Sequence, residues 1–459
     1  MSVRPTRRLV LGRRAVILGA LAAGGLAAFA AFRRSIKSRV SKLTIRRDFV
    51  ATPKLVPHDP SEARTLHVAR GGRPESNVDD ALAKFGGLKT IVGPDDIVLL
   101  RVSAQWWNQG MTNVAAAKRV IEHILEVPGF KGEVIVFENT HFLLADGNPL
   151  SRAWVRPSER NVDVAGWNTL GDLIAHFAAR NAPVSFVGLI DAGRSELSEG
   201  TWHDPGRKHG IYGGDGRGPL APGEVRDGYV WDFERTFRVK KSLVEVAAVP
   251  LTWPVFISPR SKLLVDFKEG AFRVEDGKRV ASGKKITFIN MVTTNEHAST
   301  GFTGAVKSAM GLVDMSAGRL GTDPRILDYL SVHYFGNPEA TWRMAGPLAH
   351  FAKHVRRADL VIAAAEWVGT VPKGIAWDED QSDLRLEAAS AFRTNTVVVG
   401  TDPVAIDTWC VRNLIAPIGG ARPHLWNLDD PDSKVTRFLR DYRAVYGGGT
   451  MDSSLIRVV

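Results

Sequence analysis

Two segments of this 459-residue chain carry residues whose types and spacing suit chemistry. In "INMVTTNEHASTGFTGAVKSAMGLVD", residues 289–314, a strand-like apolar run ends in small polar residues and a helix-like pattern with one lysine follows. Read as a helix from about Phe302, the apolar Phe302, Val306, Ala309 and Val313 form one stripe, and Thr303 and Lys307, four apart, become neighbours on another face. Gly301 and Gly304 remove side chains where a ligand or another backbone approaches. A phosphate or carboxylate at such an N-terminus meets free N–H groups, the Thr300 or Thr303 hydroxyl and Lys307. The plainer alternative is that Ser299 or Thr300 caps an ordinary helix and Lys307 faces water.

The second segment is "GTDPVAIDTWC", residues 400–410. Asp402 before Pro403 suits a helix start, with an N-cap acceptor and a proline whose missing N–H costs nothing. Asp407 shares a stripe with Val404, Cys410, Val411 and Leu414, where a carboxylate is costly to bury unless paired. It is either a partner for backbone or arginine, or a functional acid. His297, whose ordinary pKa lies near neutrality, is the candidate proton-transfer group, and Asp407 or Glu138 a candidate base or metal ligand. The catalytic candidates are therefore His297, Lys307 and Asp407; the candidates for holding an anionic small molecule or cofactor are Thr300, Gly301, Thr303, Gly304 and Asp402. No nucleophile elbow, P-loop or dinucleotide fingerprint narrows the reaction.

These residues need elements to position them. "DDIVLLRVS", "GEVIVFENTH", "APVSFVGLID", "SLVEVAAVP", "SKLLVDF", "KKITFINMVTT", "ADLVIAAAEWVG" and "TNTVVVGT" read as strands. "TNVAAAKRVIEHILEV" carries Val114, Ala117, Val120, Ile121, Ile124 and Leu125 at helical spacing, and "TLGDLIAHFAAR" and residues 338–357 read as further helices. Short doubly apolar strands alternating with helices imply an α/β fold with a largely parallel, doubly wound sheet. Ligands then belong outside the carboxyl ends of the strands, near Glu138, Asn139, His141, Asp191, His297, Glu366, Thr401 and Asp402. Residues 192–236 interrupt the alternation as a long inserted loop or small subdomain. His203, Asp204, His209 and Asp215 within it are candidate metal ligands, which a metal-dependent hydrolase would use. "FRVEDGKRV" reads as a hairpin turning on Asp-Gly. The expected organisation is an export signal or anchor at 1–47, a polar leader at 48–94, a first part of the α/β domain at 95–191, the insertion and hairpin at 192–285, a second part at 286–420 and a C-terminal extension at 421–459.

The formal charge of +11 resembles a nucleic-acid signature until it is located. Residues 1–47 hold twelve Lys or Arg and no acid, leaving 48 bases against 49 acids, so no nucleic-acid partner is expected. Cys410 is the single cysteine, which excludes an internal disulfide and a thiolate cage for zinc or an iron–sulfur cluster. Near the start, Thr6-Arg7-Arg8-Leu9-Val10-Leu11 resembles a twin-arginine export signal, departing from its usual form at Val10 and Gly12. The apolar run Ala15 to Phe32 and Ala28-Phe29-Ala30 as a cleavage site fit a signal peptide that directs export. The competing reading is a retained membrane anchor, since eighteen helical residues span roughly 27 Å and Arg33, Arg34, Lys37 and Arg39 suit a headgroup layer. Export implies the twin-arginine machinery as a partner and a periplasmic or cell-surface location.

The two chemistry-bearing segments resemble the domain of unknown function 362 family. Its members show a polar cluster with a histidine, a Gly-Val-Thr-x-Ala-x-Lys-Asn-x-x-Gly pattern and a later Gly-x-Asp-Pro-Val-Ala-x-Asp stretch. They correspond here to His297, to Gly301-Phe302-Thr303-Gly304-Ala305-Val306-Lys307-Ser308-Ala309-Met310-Gly311, and to Gly400-Thr401-Asp402-Pro403-Val404-Ala405-Ile406-Asp407. Phe302 and Ser308 depart from the pattern. The resemblance extends over residues 95–415 and implies that His297, Thr303, Lys307, Asp402 and Asp407 share a site. It implies no settled activity, and the ferredoxin-type cysteines of some relatives are missing here. An exported enzyme acting on an anionic small molecule and a non-catalytic binding or assembly protein at the membrane face both remain open.

Overall fold

Strands whose residues are apolar on both faces need cover on both faces, and that requirement organises the molecule. The computed structural model describes residues 63–140, 152–190, 228–240, 246–314, 340–370, 391–420 and 422–459. The chain divides into one unit of Thr52–Val239 with Ala248–Val459 and another of Met1–Ala51 with Lys240–Ala247; the account below concerns the former. The export-signal segment, His141, Asp191, His203, Asp204, His209 and Asp215 lie outside the described residues.

In chain order the principal elements are β1 (Arg64–Arg70), α1 (Pro74–Phe85), β2 (Ile97–Arg101), α2 (Val114–Leu125), β3 (Glu133–Thr140), α3 (Leu170–Ala179) and β4 (Val184–Ile190). Next come β5 (Gly228–Lys240), β6 (Val246–Ile257), β7 (Leu264–Asp266), β8 (Gly270–Glu275) and β9 (Lys278–Ala281). The rest are β10 (Ile286–His297), β11 (Gly301–Thr303), α4 (Ala340–His354), β12 (Leu360–Gly369), β13 (Ala391–Gly400), α5 (Pro403–Cys410), α6 (Lys434–Tyr446) and β14 (Ile456–Val458).

The main sheet runs β14-β1-β13-β12-β10-β2-β3-β4, with β11 folded back on the end of β10. Its pairs are parallel except around β13, which is antiparallel to both β1 and β12, and at the β10–β11 hairpin. The expected α/β class, with a largely parallel sheet, is therefore what the chain forms. Alternation along β2 shows why both faces are covered. Val98 and Leu100 pack with Val78, Leu82, Val120, Ile121 and Leu173 from α1, α2 and α3. Ile97 and Leu99 turn to the other face, where α4, α5 and α6 contribute Leu348, Phe351, Ile406, Phe438 and Leu439. Asn113 caps α2 through its side chain, accepting from Ala116 N.

Three features differ from the sequence expectations. Residues 64–85, read as polar leader, supply β1 and α1: alternating Leu66 and Val68 are buried, which a short run closed at both ends by arginine understates. The region 228–281 is a second sheet, β5-β6-β7-β8-β9, with antiparallel pairing from β6 onward. The expected hairpin is its β8–β9 edge, turning at Asp276 (φ 50°) and Gly277 (φ 72°) with Glu275 opposite Lys278. Trp253 and Phe267 of this region pack into the same core as Phe137 and Phe288 of the main sheet. Finally, no helix starts at Phe302. Residues 301–303 continue the ladder as β11, and Lys307–Gly311 form one 3₁₀ turn. Helical spacing of four apolar residues was outweighed by the pairing of Thr303, Phe302 and Gly301 with Asn295, Glu296 and His297.

Candidate functional site

The first segment is shaped by its hairpin. At the end of β10 the His297 ring accepts at Nδ1 from the backbone N–H groups of Ser299 (3.1 Å) and Thr300 (3.3 Å), which closes the turn. The Thr300 hydroxyl donates to Phe302 O (2.8 Å). Gly301 has φ 78°, and a Cβ there would stand 2.1 Å from Leu425 O, so the glycine admits the C-terminal region to close approach. Beside it, buried Glu296 pairs with Arg422 (Nε to Oε1, 2.7 Å) and accepts from the Thr370 hydroxyl (2.7 Å).

After the hairpin the chain turns at Gly304 and meets the second segment. Asp407 accepts from Ala305 N at Oδ1 (2.6 Å) and from Val306 N at Oδ2 (2.9 Å). The turn does hold something negative, and it is this chain's own carboxylate. Asp407 is 1% exposed; burial pushes its pKa up to about 7, the two N–H donors oppose that rise, and the charge of Asp402 adds to it. Asp402 caps α5 by accepting from Val404 N (2.9 Å) and Ala405 N (3.1 Å), and it also takes Thr450 N and the Arg64 guanidinium. The expected cradle of Thr300, Gly301, Thr303, Gly304 and Asp402 at a helix N-terminus is therefore corrected. There is no helix N-terminus at Thr303, and the N–H groups that would greet an anion are occupied by Asp407. Of the cradle's hydroxyls only that of Thr303 is buried without a hydrogen-bond partner.

Lys307 is not on a solvated face: it is 9% exposed. Its 3₁₀ turn lies against the sheet, where the Ser308 hydroxyl donates to Ala305 O (2.6 Å) and accepts from Asn290 Nδ2 (2.6 Å). Gly311 abuts the Arg101 guanidinium, and Asn139 Nδ2 holds Val313 O (2.7 Å). Glu138, a candidate base, is committed to the buried Arg101 (3.0 Å) and to Ala104 N (2.6 Å).

The two segments also share a cavity of about 40 Å³. Ala305, Val306 and Ala309 come from the first, Thr401 and Pro403 from the second. Phe288, Val361 and Phe351 give it apolar walls, Asn290 lies on the strand side, and Arg356, Arg357, Tyr442 and Tyr446 supply polar groups. The site lies beside the early residues of β10 and β12, on the face covered by α4 and α6, rather than at the carboxyl edge where the sheet rule places ligands. Arg356 donates to Phe267 O (2.6 Å) and Ile286 O (3.3 Å), and burial pulls its pKa down; Asp359 and Asp266 act on it only from a distance. Neither Arg356 nor Arg357 forms an ion pair with a described carboxylate. Sequence reading missed Asn290 and the two arginines. Their signals were a lone amide inside the apolar run "TFINMV" and the doubled arginine in "HVRRADL".

At the carboxyl edge, Glu366 sits where β12 shifts register against both β10 and β13. It is fully buried; Oε1 accepts from Asn77 Nδ2 (3.1 Å) and Oε2 has no partner. Burial pushes its pKa up to about 7, Asn77 and Arg393 oppose this, and Asp163 and Glu75 reinforce it. A carboxyl raised in the folded state binds more protons there than when unfolded, so its contribution to stability is full below pH 4.5 and is lost as pH rises from there through 7. Glu366→Gln keeps the Asn77 contact without the charge. It should match the parent protein below pH 4.5 and exceed it by about 3 kcal/mol at pH 8 in urea denaturation. Parallel stability curves for the two proteins would show that Glu366 does not titrate in this way.

Among the described residues, no group of three or more His, Cys, Asp or Glu is arranged to hold a metal, and no helix is long and apolar enough to cross a membrane. No curated relative and no solved structure matches the chain. What the comparisons do identify is the stretch holding both halves of this cavity's motif lining: residues 284–412 match the model of the family described as "Domain of unknown function (DUF362)".

Proposed function

We propose that this is an exported protein that binds a small anionic molecule in the cavity between its two motif segments. The observation that carries the reading is the convergence of Ala305, Val306 and Ala309 with Thr401 and Pro403 around one cavity, whose lining includes two arginines that form no ion pair with a carboxylate among the described residues. Apolar walls with a few convergent polar groups are the usual make-up of a small-molecule site. The cations of this reading are Arg356 and Arg357, in place of the Thr303 and Lys307 pair. His297 and Asp407 serve to hold the turns that shape the cavity wall, and no proton-transfer step is assigned to them. Export rests on the resemblance of Thr6-Arg7-Arg8-Leu9-Val10-Leu11 to a twin-arginine signal.

Acetate is a suitable probe, since four heavy atoms suit a cavity of this size. Full-length protein, collected from the exported fraction of expressing cells and titrated with sodium acetate against sodium chloride, should show saturable binding of roughly millimolar dissociation constant by calorimetry. Arg357→Gln should weaken it about fivefold, the effect of one exposed charge. Acetate behaving as chloride does would remove the anion site, and protein retained inside the cell would remove export.

A further inference from the structure

Toward its C-terminal end α4 carries two histidines that the anion cavity does not use. His350 and His354 are four residues apart, the spacing that places side chains on one helix face. Their ring centroids are 4.4 Å apart, with the ring planes inclined at 59°. Two imidazoles on adjacent coordination positions of one ion, each nitrogen about 2.0 Å from it, bring their centroids to about 4.5–5 Å. The pair already stands near the separation that a shared metal requires.

A second contact fixes the chemistry of one ring. His350 Nε2 lies 2.8 Å from Arg235 O on β5. A carbonyl oxygen only accepts, so Nε2 carries the proton and, in the neutral ring, the lone pair is on Nδ1. Metal-binding histidines are commonly oriented in this way, the second nitrogen donating to a backbone carbonyl. His354 ends α4, where carbonyls without helical partners favour positive charge. Of the neighbouring cations, Lys353 Nζ donates to Val445 O (3.4 Å) and Arg357 is hydrogen-bonded to Tyr446.

We infer that His350 and His354 bind one divalent late transition metal, copper(II) most tightly, with water at the remaining positions. Imidazole suits copper, nickel and zinc, whereas calcium and magnesium take oxygen ligands. Two protein ligands make an exchangeable site, in keeping with the lack of any group of three ligating side chains among the described residues. The site is separate from the anion cavity: Phe351 and Ala352, which line that cavity, project from another side of the helix.

Full-length protein without an affinity tag, stripped with EDTA and titrated with copper(II) chloride, should show saturable binding of roughly micromolar dissociation constant by calorimetry, with nickel(II) and zinc(II) weaker. The chain has twelve histidines, so the ion must also be located. His354 is exposed, and His354→Gln should fold as the parent does while weakening copper binding about a hundredfold, because a chelating pair becomes a single ligand. His350→Gln should behave alike, so the location does not hang on one variant. Electron paramagnetic resonance of the parent with one equivalent of copper should show two imidazole nitrogens, and neither variant should retain both. Copper bound equally by the parent and the two variants would place the metal on other histidines and overturn the inference, as would the absence of saturable binding to the parent.

Discussion

Replacing Asp407 with alanine should lower the unfolding free energy by about 3 kcal/mol, because two buried N–H donors lose their carboxyl acceptor at once. The donors are those of Ala305 and Val306, at 2.6 and 2.9 Å from a side chain that is 1% exposed. Asparagine should do little better. Its single carbonyl oxygen accepts from one N–H, and its NH₂ group then faces the other. Both variants should therefore unfold earlier in urea and weaken acetate binding together, since the same turn carries Ala305 and Val306 into the cavity wall. A different result would be decisive: variants as stable as the parent, with binding alone lost, would return Asp407 to the role of a functional acid.

Gly301→Ala should cost more still, above about 4 kcal/mol, because two separate effects coincide. The residue has φ 78°, and the new Cβ would stand 2.1 Å from Leu425 O and 2.4 Å from Val435 N, both backbone atoms with no rotamer to adjust. The C-terminal region, including α6 and the Arg422 that neutralises Glu296, would have to withdraw from the hairpin. Gly283→Ala separates the two effects: φ is 76° there and nothing lies within 4 Å of the new Cβ. It should cost only about 1 kcal/mol, the backbone penalty alone. Thermal unfolding of both variants checks the comparison, and equal losses would show that the contact with Leu425 and Val435 contributes nothing.

Much of the site's scaffolding could be read before the structure. Asp402 and Pro403 together announce the start of α5, and the cap forms as local chemistry dictates. Asp407 on an apolar stripe signalled a carboxylate that needed a partner, though not which one. The segment after Gly301 was misread because a four-residue apolar spacing is compatible with a helix and with a hairpin followed by a 3₁₀ turn. The deciding contact is itself local, Asn295, Glu296 and His297 opposite Thr303, Phe302 and Gly301 at the end of β10 beyond its pairing with β2, but small polar residues around a single Phe302 carry no alternating strand pattern to announce it. Asn290 was passed over as part of a strand, since nothing local distinguishes a satisfied amide from one with an idle oxygen.

The amino-acid sequence by itself determined the α/β class, because doubly apolar strands alternating with amphipathic helices have few other ways to bury their surfaces. It also determined the helix start at Asp402, the Asp-Gly hairpin at 276–277 and the neutrality of the chain beyond residue 47. Only the tertiary structure decided that Asp407 fills the turn that had been expected to receive a ligand, and that Arg356 and Arg357 line the same cavity as Asn290. The physical reason is range. Caps, turns and periodicity are settled by contacts a few residues apart, whereas the pairing of a buried acceptor depends on which distant strand or helix supplies its neighbour.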